Sequence, residues 1–440
     1  MPGESEISPY SPQICLQRAS KSFPDGAVLA SPGRSIDAYD GVLYYYEWFL
    51  ICHILRFPVG ASFVPQEMRS NGVCMRQNLS GAVPADVQAA GHFTAQEIAH
   101  QPELWPIVVA DMRSAAQRLQ LDQKLRGKRV LVTGAGSSAY AAGVVAAAWT
   151  GAVAVPTTDL LVDAERSLNE VDAVISLARS GESPESAAVV ERIRSLRPDI
   201  FQLAIVCNPD SALARTEVDA LISLDPRTND RSLVMTSAFS SLVLAGLTLA
   251  RPDAVAASVN ANSARAAALL SEIDGYCRHL AGRVRERIIV LSSSPLHGWA
   301  REASLKMLEM SAGNFAVMPE TFLGLRHGPM SFVKPDTLVL CLLSSDPLRR
   351  SYELDLIGEL RSKKIGYLVG IADPDESDQL FDEKMPAVAP REDDALRTSY
   401  EIVGPQLLGY HLSLRIGLNP DNPSPDGIIN RVVSGVRIYS

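Results

Sequence analysis

Along most of the chain, short unbroken apolar runs alternate with longer stretches whose apolar residues recur every three or four positions. The runs are Arg129-Val130-Leu131-Val132-Thr133, Ala152 to Val155, Asp172 to Leu177, Phe201 to Cys207 and Ala220 to Leu224, then Arg287 to Leu291, Thr337 to Leu343 and Tyr367 to Ile371. Continuous apolar strands separated by helical stretches predict parallel sheets covered on both faces. A helical lead-in spans His92 to Leu125, opening with Thr94-Ala95-Gln96-Glu97, which fits a capping box. Further helices are predicted up to Trp149, from Glu185, and over Met235–Ala250, Ala254–Leu280, Leu348–Leu360 and Leu396–Ile416. A strand, a Ser/Gly loop and a helix follow one another both after Arg129 and after Arg287, which predicts an internal duplication.

The stretch from Arg301 to Pro329 carries the densest chemistry. Its first half contains good helix formers and no Gly or Pro before Gly313. Glu302, Lys306 and Glu309 then fall at i, i+4 and i+7, on one helix face. Such a stripe is either a solvated face with modest ion pairs or half of an acid/base site. The second half ends in Leu325-Arg326-His327-Gly328-Pro329, where Gly and Pro brace a histidine. A carboxylate moves protons between adjacent carbons, and a braced histidine beside such a stripe makes a candidate acid/base site.

Two loops between a strand end and a helix start offer free backbone amides and hydroxyls, the Ser137-Ser138 loop and the Ser180-x-x-Ser183 loop. Helix capping explains either loop alone. Together in one α/β unit they suit the several acceptor oxygens of a phosphomonoester. Gly134-Ala135-Gly136-Ser137-Ser138-Ala139 also matches a dinucleotide fingerprint, with Asp159 as the ribose acid. That rival leaves the second loop without a role, and Pro156-Thr157-Thr158 separates Asp159 from its strand.

A formal net charge of −9 argues against general affinity for nucleic acid or anionic membrane, so a phosphate site must be built locally. The six cysteines are scattered without metal spacing, which favours free thiols in a reducing compartment. No secretory signal or membrane span is visible, so the expected location is cytoplasmic. Residues 1–91 form an extension, of which residues 1 to about 75 are rich in Pro, Ser and Gly with an aromatic cluster at Tyr44 to Phe49. It reads as a partly ordered accessory segment or as an over-extended start, with Met75 opening the functional chain. The remaining chain divides into residues 92–265 and 266–440.

Gly136-Ser137-Ser138, Ala178-Arg179-Ser180-Gly181-Glu182-Ser183-Pro184-Glu185-Ser186 and Leu325-Arg326-His327-Gly328-Pro329 resemble the sugar-isomerase (SIS) domain family. Pro156-Thr157-Thr158-Asp159-Leu160, Asp230-Arg231-Ser232 with Met235-Thr236-Ser237, and Asn430-Arg431-Val432-Val433-Ser434-Gly435-Val436 look like its galactosamine-6-phosphate deaminase/isomerase branch, also called tagatose-6-phosphate ketose/aldose isomerases. The resemblance covers about His92 to Ser440. It implies two tandem SIS domains, each a flavodoxin-like parallel sheet with helices on both faces. It also implies a homo-oligomer with sites near subunit interfaces, a phosphorylated amino-sugar substrate, and neither metal nor organic cofactor.

Similarity to the isomerase half of glucosamine-6-phosphate synthase assigns Glu309 as the C1/C2 proton carrier, His327 as the ring-opening residue and Lys306 as the partner of Glu309. Ser138, Ser180 and Ser183 carry over from it as phosphate or sugar contacts, and Ser137, Arg179 and Arg326 stand beside them as candidate substrate or phosphate contacts. That relative also has a tail lysine in its site. Ser434 is the nearest position here, leaving the charge absent or supplied by Arg431 or Arg326. The implied reaction is deamination of galactosamine-6-phosphate to tagatose-6-phosphate and ammonia. The alternatives are plain ketose/aldose isomerisation, glucosamine-6-phosphate deamination, and a sugar-phosphate-sensing regulator, for which no basic recognition helix is apparent.

Overall fold

The structure, a computed structural model, describes residues 91–372, 379–390 and 392–439. The N-terminal extension up to residue 90, including the expected start at Met75, lies outside the described residues. The chain enters through α1 (His92–Ala99), α2 (Gln101–Arg118) and α3 (Leu121–Leu125). The predicted capping box is not formed. Thr94 is already the third helical residue, and its hydroxyl donates to Asp421 and Ser232, while Glu97 accepts from the backbone amides of Arg231 and Ser232. Both side chains are spent on tertiary contacts rather than on the helix end.

The first α/β unit runs β1 (Val130–Thr133), α4 (Ser137–Ala147), β2 (Ala152–Ala154), α5 (Thr157–Val162), α6 (Ala164–Ser167), β3 (Ala173–Ala178), α7 (Pro184–Leu196), β4 (Phe201–Val206) and β5 (Ala220–Ser223). Helices α8 (Ser237–Ala250) and α9 (Pro252–Arg283) follow. The second unit runs β6 (Arg287–Ser292), α10 (His297–Met310), β7 (Ala316–Thr321), β8 (Leu338–Leu342), α11 (Pro347–Lys363), β9 (Tyr367–Ala372), β10 (Glu383–Pro386), α12 (Asp394–Glu401) and α13 (Val403–Arg415). Each sheet has five parallel strands, in the orders β2-β1-β3-β4-β5 and β7-β6-β8-β9-β10. The two orders are the same, so the duplication is topological. Both are the flavodoxin-like arrangement.

Strands β1, β3 and β8 are buried along their whole length, as unbroken apolar runs require. The edge strands β7 and β10 escape the apolar pattern because each pairs on one side only. Pro319 sits within β7, where a missing N–H costs no ladder bond on the open side. The helix expected over Leu396–Ile416 is two helices meeting at Ile402, and Pro405 lies in the first turn of the second, where it needs no amide partner. The expected division at residue 265 falls inside α9, which packs against α2 and α8 on one side and α13 and β10 on the other. One apolar cluster continues through both units. Within it Trp105 is fully buried, donates from Nε1 to the Ser240 hydroxyl at 3.0 Å, and meets Tyr400 edge-on.

Candidate active site

In a flavodoxin-like sheet, ligands bind beyond the strand C-termini where the strand order reverses, here between β1 and β3. The two serine loops emerge at that point. Gly136 adopts φ 58° and ψ −129°, a conformation L side chains rarely enter, and a Cβ on Gly134 would lie 2.6 Å from the Ser138 backbone. The glycines therefore let the chain turn sharply into α4 and present Ser137 and Ser138. Asp159, by contrast, is exposed in the first turn of α5, with Val155, Pro156, Thr157 and Thr158 between it and its strand. The dinucleotide reading has no ribose acid at the strand end.

A cavity of about 420 Å3 opens over these loops. Ser137, Ser138, Ser180, Ser183 and Ser186 line one side, Glu309 of α10 reaches it from the second unit, and residues 428–434 of the C-terminal tail form another wall. Among the described lining residues Glu309 is the only carboxylate. The Ser183 hydroxyl donates to Glu185 at 2.6 Å, and the Ser180 hydroxyl accepts from the Glu182 amide at 3.4 Å.

The charged stripe on α10 is no solvated face. Lys306 and Glu302 are fully buried and Glu309 is about one quarter exposed, its carboxylate facing the cavity. The Lys306 ammonium donates to Glu309 Oε2 at 2.6 Å and to the Ser137 hydroxyl at 3.2 Å, and stands 3.4 Å from Glu302 Oε1. Burial would pull the lysine pKa down, but the charges of Glu302 and Glu309 outweigh it and the net shift is upward. Burial pushes Glu302 up to about 7, with Lys306 opposing and Glu309 adding to the rise. The result is a buried cation that fixes one cavity-facing carboxylate, backed by a second carboxyl poised to gain or lose a proton near neutrality. Sequence reasoning gave Glu302 no role. Its i, i+4 spacing to Lys306 was visible, whereas its complete burial depends on packing between α10 and the first unit, against α4.

Two expected phosphate contacts are placed differently. Arg179 lines the cavity, but its terminal nitrogens donate to the carbonyls of Ser232 (3.2 Å), Leu233 (2.9 Å) and Arg431 (2.6 Å). Only its buried Nε lacks a partner among the described residues. The residue acts mainly as a clasp between the Ser180–Ser183 loop, the 232–233 segment and the tail. Arg326 is paired with Asp355 (2.6 Å) and Glu359 (2.7 Å) on α11 and does not line the cavity. His327 ends a 3-10 turn over Gly324–His327, is exposed, and is absent from the cavity wall.

In the tail, Ser434 and Arg431 both line the cavity. The Arg431 guanidinium is held by the Asp230 carbonyl and the Asn229 side chain. Asp230 itself accepts from the amides of Thr236, Ser237 and Ala238 at the start of α8. The Asp230-Arg231-Ser232 and Asn430-Arg431 motifs are thus two sides of one joint that seats the tail.

Among the described residues no group of three metal-ligating side chains is present, and no helix is long and apolar enough to cross a membrane.

No family model matches the chain. It is 36% identical over 384 residues to a Streptomyces coelicolor protein provisionally named D-galactosamine-6-phosphate deaminase AgaS, covering 82% of this chain and 98% of the relative. It is 34% identical over 371 residues to the D-galactosamine-6-phosphate deaminase AgaS of Escherichia coli, covering 80% and 96%. Its fold matches the crystal structure of tagatose-6-phosphate ketose/aldose isomerase from Escherichia coli with a TM-score of 0.71 at 30% identity, over 82% of this chain and all of that one. With its duplicated flavodoxin-like halves, the chain belongs to the family of AgaS-type galactosamine-6-phosphate deaminases, which are built on two tandem SIS domains.

Proposed function

We propose that this enzyme deaminates galactosamine-6-phosphate, releasing ammonia and tagatose-6-phosphate. The observation that carries the reading is Glu309, the lone described carboxylate of a serine-lined cavity, held at 2.6 Å by the buried Lys306. The phosphate sits on the amides and hydroxyls of the Ser137-Ser138 and Ser180–Ser183 loops. That placement fixes the sugar chain so that binding energy serves the reaction at the far end. His327 assists opening of the pyranose ring. Glu309 removes the C2 proton of the open aldose and delivers it to C1, through an enolamine that becomes a ketimine. Water adds to the ketimine carbon, the C–N bond breaks and ammonia leaves, giving the ketose phosphate. With a plain sugar phosphate the same proton shift yields simple aldose–ketose exchange.

Because His327 is exposed and absent from the cavity wall, the working site takes this residue from a second copy of the chain. The assembly is then a homo-oligomer. A cytoplasmic location belongs to the same reading and agrees with the buried thiols of Cys207 and Cys277, neither of which is in a disulfide.

The test is incubation of the full chain with galactosamine-6-phosphate, glucosamine-6-phosphate and tagatose-6-phosphate, with ammonia and ketose both assayed. Ammonia and ketose in equal amounts from the first substrate support the proposal. Ketose–aldose exchange with no ammonia from either amino sugar refutes deamination.

A further inference from the structure

Since the two halves share one strand order, each has its own reversal point, and the second falls between β6 and β8. A cavity of about 440 Å3 lies there, with Ser294, Ser345, Asp346, Arg349 and Asp394 in its wall. It is the topological counterpart of the serine-lined cavity described above. The loops also correspond: residues 179–183 lead to Pro184 at the start of α7, and residues 343–346 lead to Pro347 at the start of α11.

The occupants differ. In the second half a carboxylate from elsewhere in the chain already fills the cradle. Asp394, the first residue of α12, is 3% exposed. One of its oxygens accepts from the Ser345 amide at 2.7 Å and the Ser345 hydroxyl at 3.0 Å, and the other accepts from the Ser344 hydroxyl. The Arg349 guanidinium stands 3.8 Å away. A backbone amide, two hydroxyls and a guanidinium at a helix start are the donors a phosphate would use. The neighbouring Ser344 amide is held by the buried Glu353 at 2.7 Å, and Asp346 caps α11 by accepting from the Arg349 amide at 2.9 Å. In the first half the Ser180 and Ser183 hydroxyls meet only groups of their own loop and helix, leaving the cradle open to a ligand.

We propose that Asp394 is a built-in ligand mimic that closes the second phosphate cradle and limits each chain to one sugar-phosphate site. The proposal rests on the reading of the first cavity only for the count of one. The closure itself stands on the Asp394 contacts.

Equilibrium dialysis of the full chain against radiolabelled inorganic phosphate tests it. The wild type should bind one phosphate per chain, and Ser180→Ala with Ser183→Ala should remove it. Asp394→Ala should bind two and keep wild-type turnover. Adding Ser344→Ala and Ser345→Ala to that variant should return the count to one. The proposal is overturned if folded Asp394→Ala still binds one, or if the wild type binds a second phosphate that Ser344→Ala with Ser345→Ala removes. Should Asp394→Ala fail to fold, the wild-type count with and without the Ser344 and Ser345 substitutions decides. Failure of the first-cavity reading shows separately, as no phosphate on the wild type while Asp394→Ala still gains one.

Discussion

Replacing Lys306 by methionine removes the charge while keeping most of the side-chain volume. Lys306 is wholly buried between two carboxylates, at 2.6 Å from Glu309 and 3.4 Å from Glu302. Glu309 is partly exposed and can turn toward water, but Glu302 cannot. Deleting one partner of a buried pair typically costs about 3–5 kcal/mol, because it strands the other charge. Glu302 can escape part of that cost by taking up a proton, since its pKa already stands at about 7. We therefore expect a loss near the lower end, about 3 kcal/mol at pH 7, read from urea denaturation of the full chain.

The pH dependence has a definite sign. An acid whose folded pKa lies above its unfolded value of 4.5 binds more protons when folded. Its contribution to stability is full below pH 4.5 and is lost as pH rises through about 7. Glu302→Gln should flatten that decline, by roughly 3 kcal/mol for a shift of this size at 1.36 kcal/mol per unit. Glu302→Gln in the Lys306→Met background should recover much of the lost stability, giving a coupling above roughly 1 kcal/mol. Additivity of the two substitutions within about 0.5 kcal/mol would refute the linkage.

Ser180→Ala with Ser183→Ala should raise KM for phosphorylated sugar, each lost bond to a charged oxygen costing roughly 1.5–3 kcal/mol, and unchanged saturation kinetics in a folded variant would reject the phosphate cradle. Arg179→Lys cannot span three carbonyls, so the tail should become more susceptible to limited proteolysis, and an unaltered cleavage pattern would contradict the clasp. Gly136→Ala should lower stability by about 1–3 kcal/mol in thermal denaturation, because its φ of 58° with ψ of −129° is closed to alanine. Mixing inactive Glu309→Gln and His327→Asn chains under subunit exchange should restore activity if His327 is supplied by a second copy. No recovery in verified mixed oligomers would place His327 in the same chain's site.

The chain's apolar periodicity made both parallel sheets legible, since β1, β3 and β8 are buried throughout and read as unbroken apolar runs. Strands β7 and β10 were not legible, because an edge strand needs neither the apolar run nor a full set of amides. Local grammar and family motifs single out the serine loops and Glu309, which the structure brings to one cavity. What sequence could not convey is which polar groups are already engaged. Arg179 and Arg326 carry free charge on paper, yet one is bound to carbonyls and the other to carboxylates. Glu302 belongs to a stripe that the sequence leaves open between a solvated face and half of an acid/base site, and its complete burial is a consequence of helix packing between the two units. Thr94 and Glu97 carried a helix-capping signature but serve contacts more than a hundred residues away.

The central claim is that Glu309 carries the proton between C2 and C1. Glu309→Gln keeps the shape and removes the base, and solvent deuterium incorporation at the sugar, followed by NMR alongside turnover, reads that step directly. The account predicts a fall in turnover of about 100-fold or more, with exchange of the C2 hydrogen abolished and phosphate binding retained. Wild-type exchange and turnover in the folded variant would contradict it.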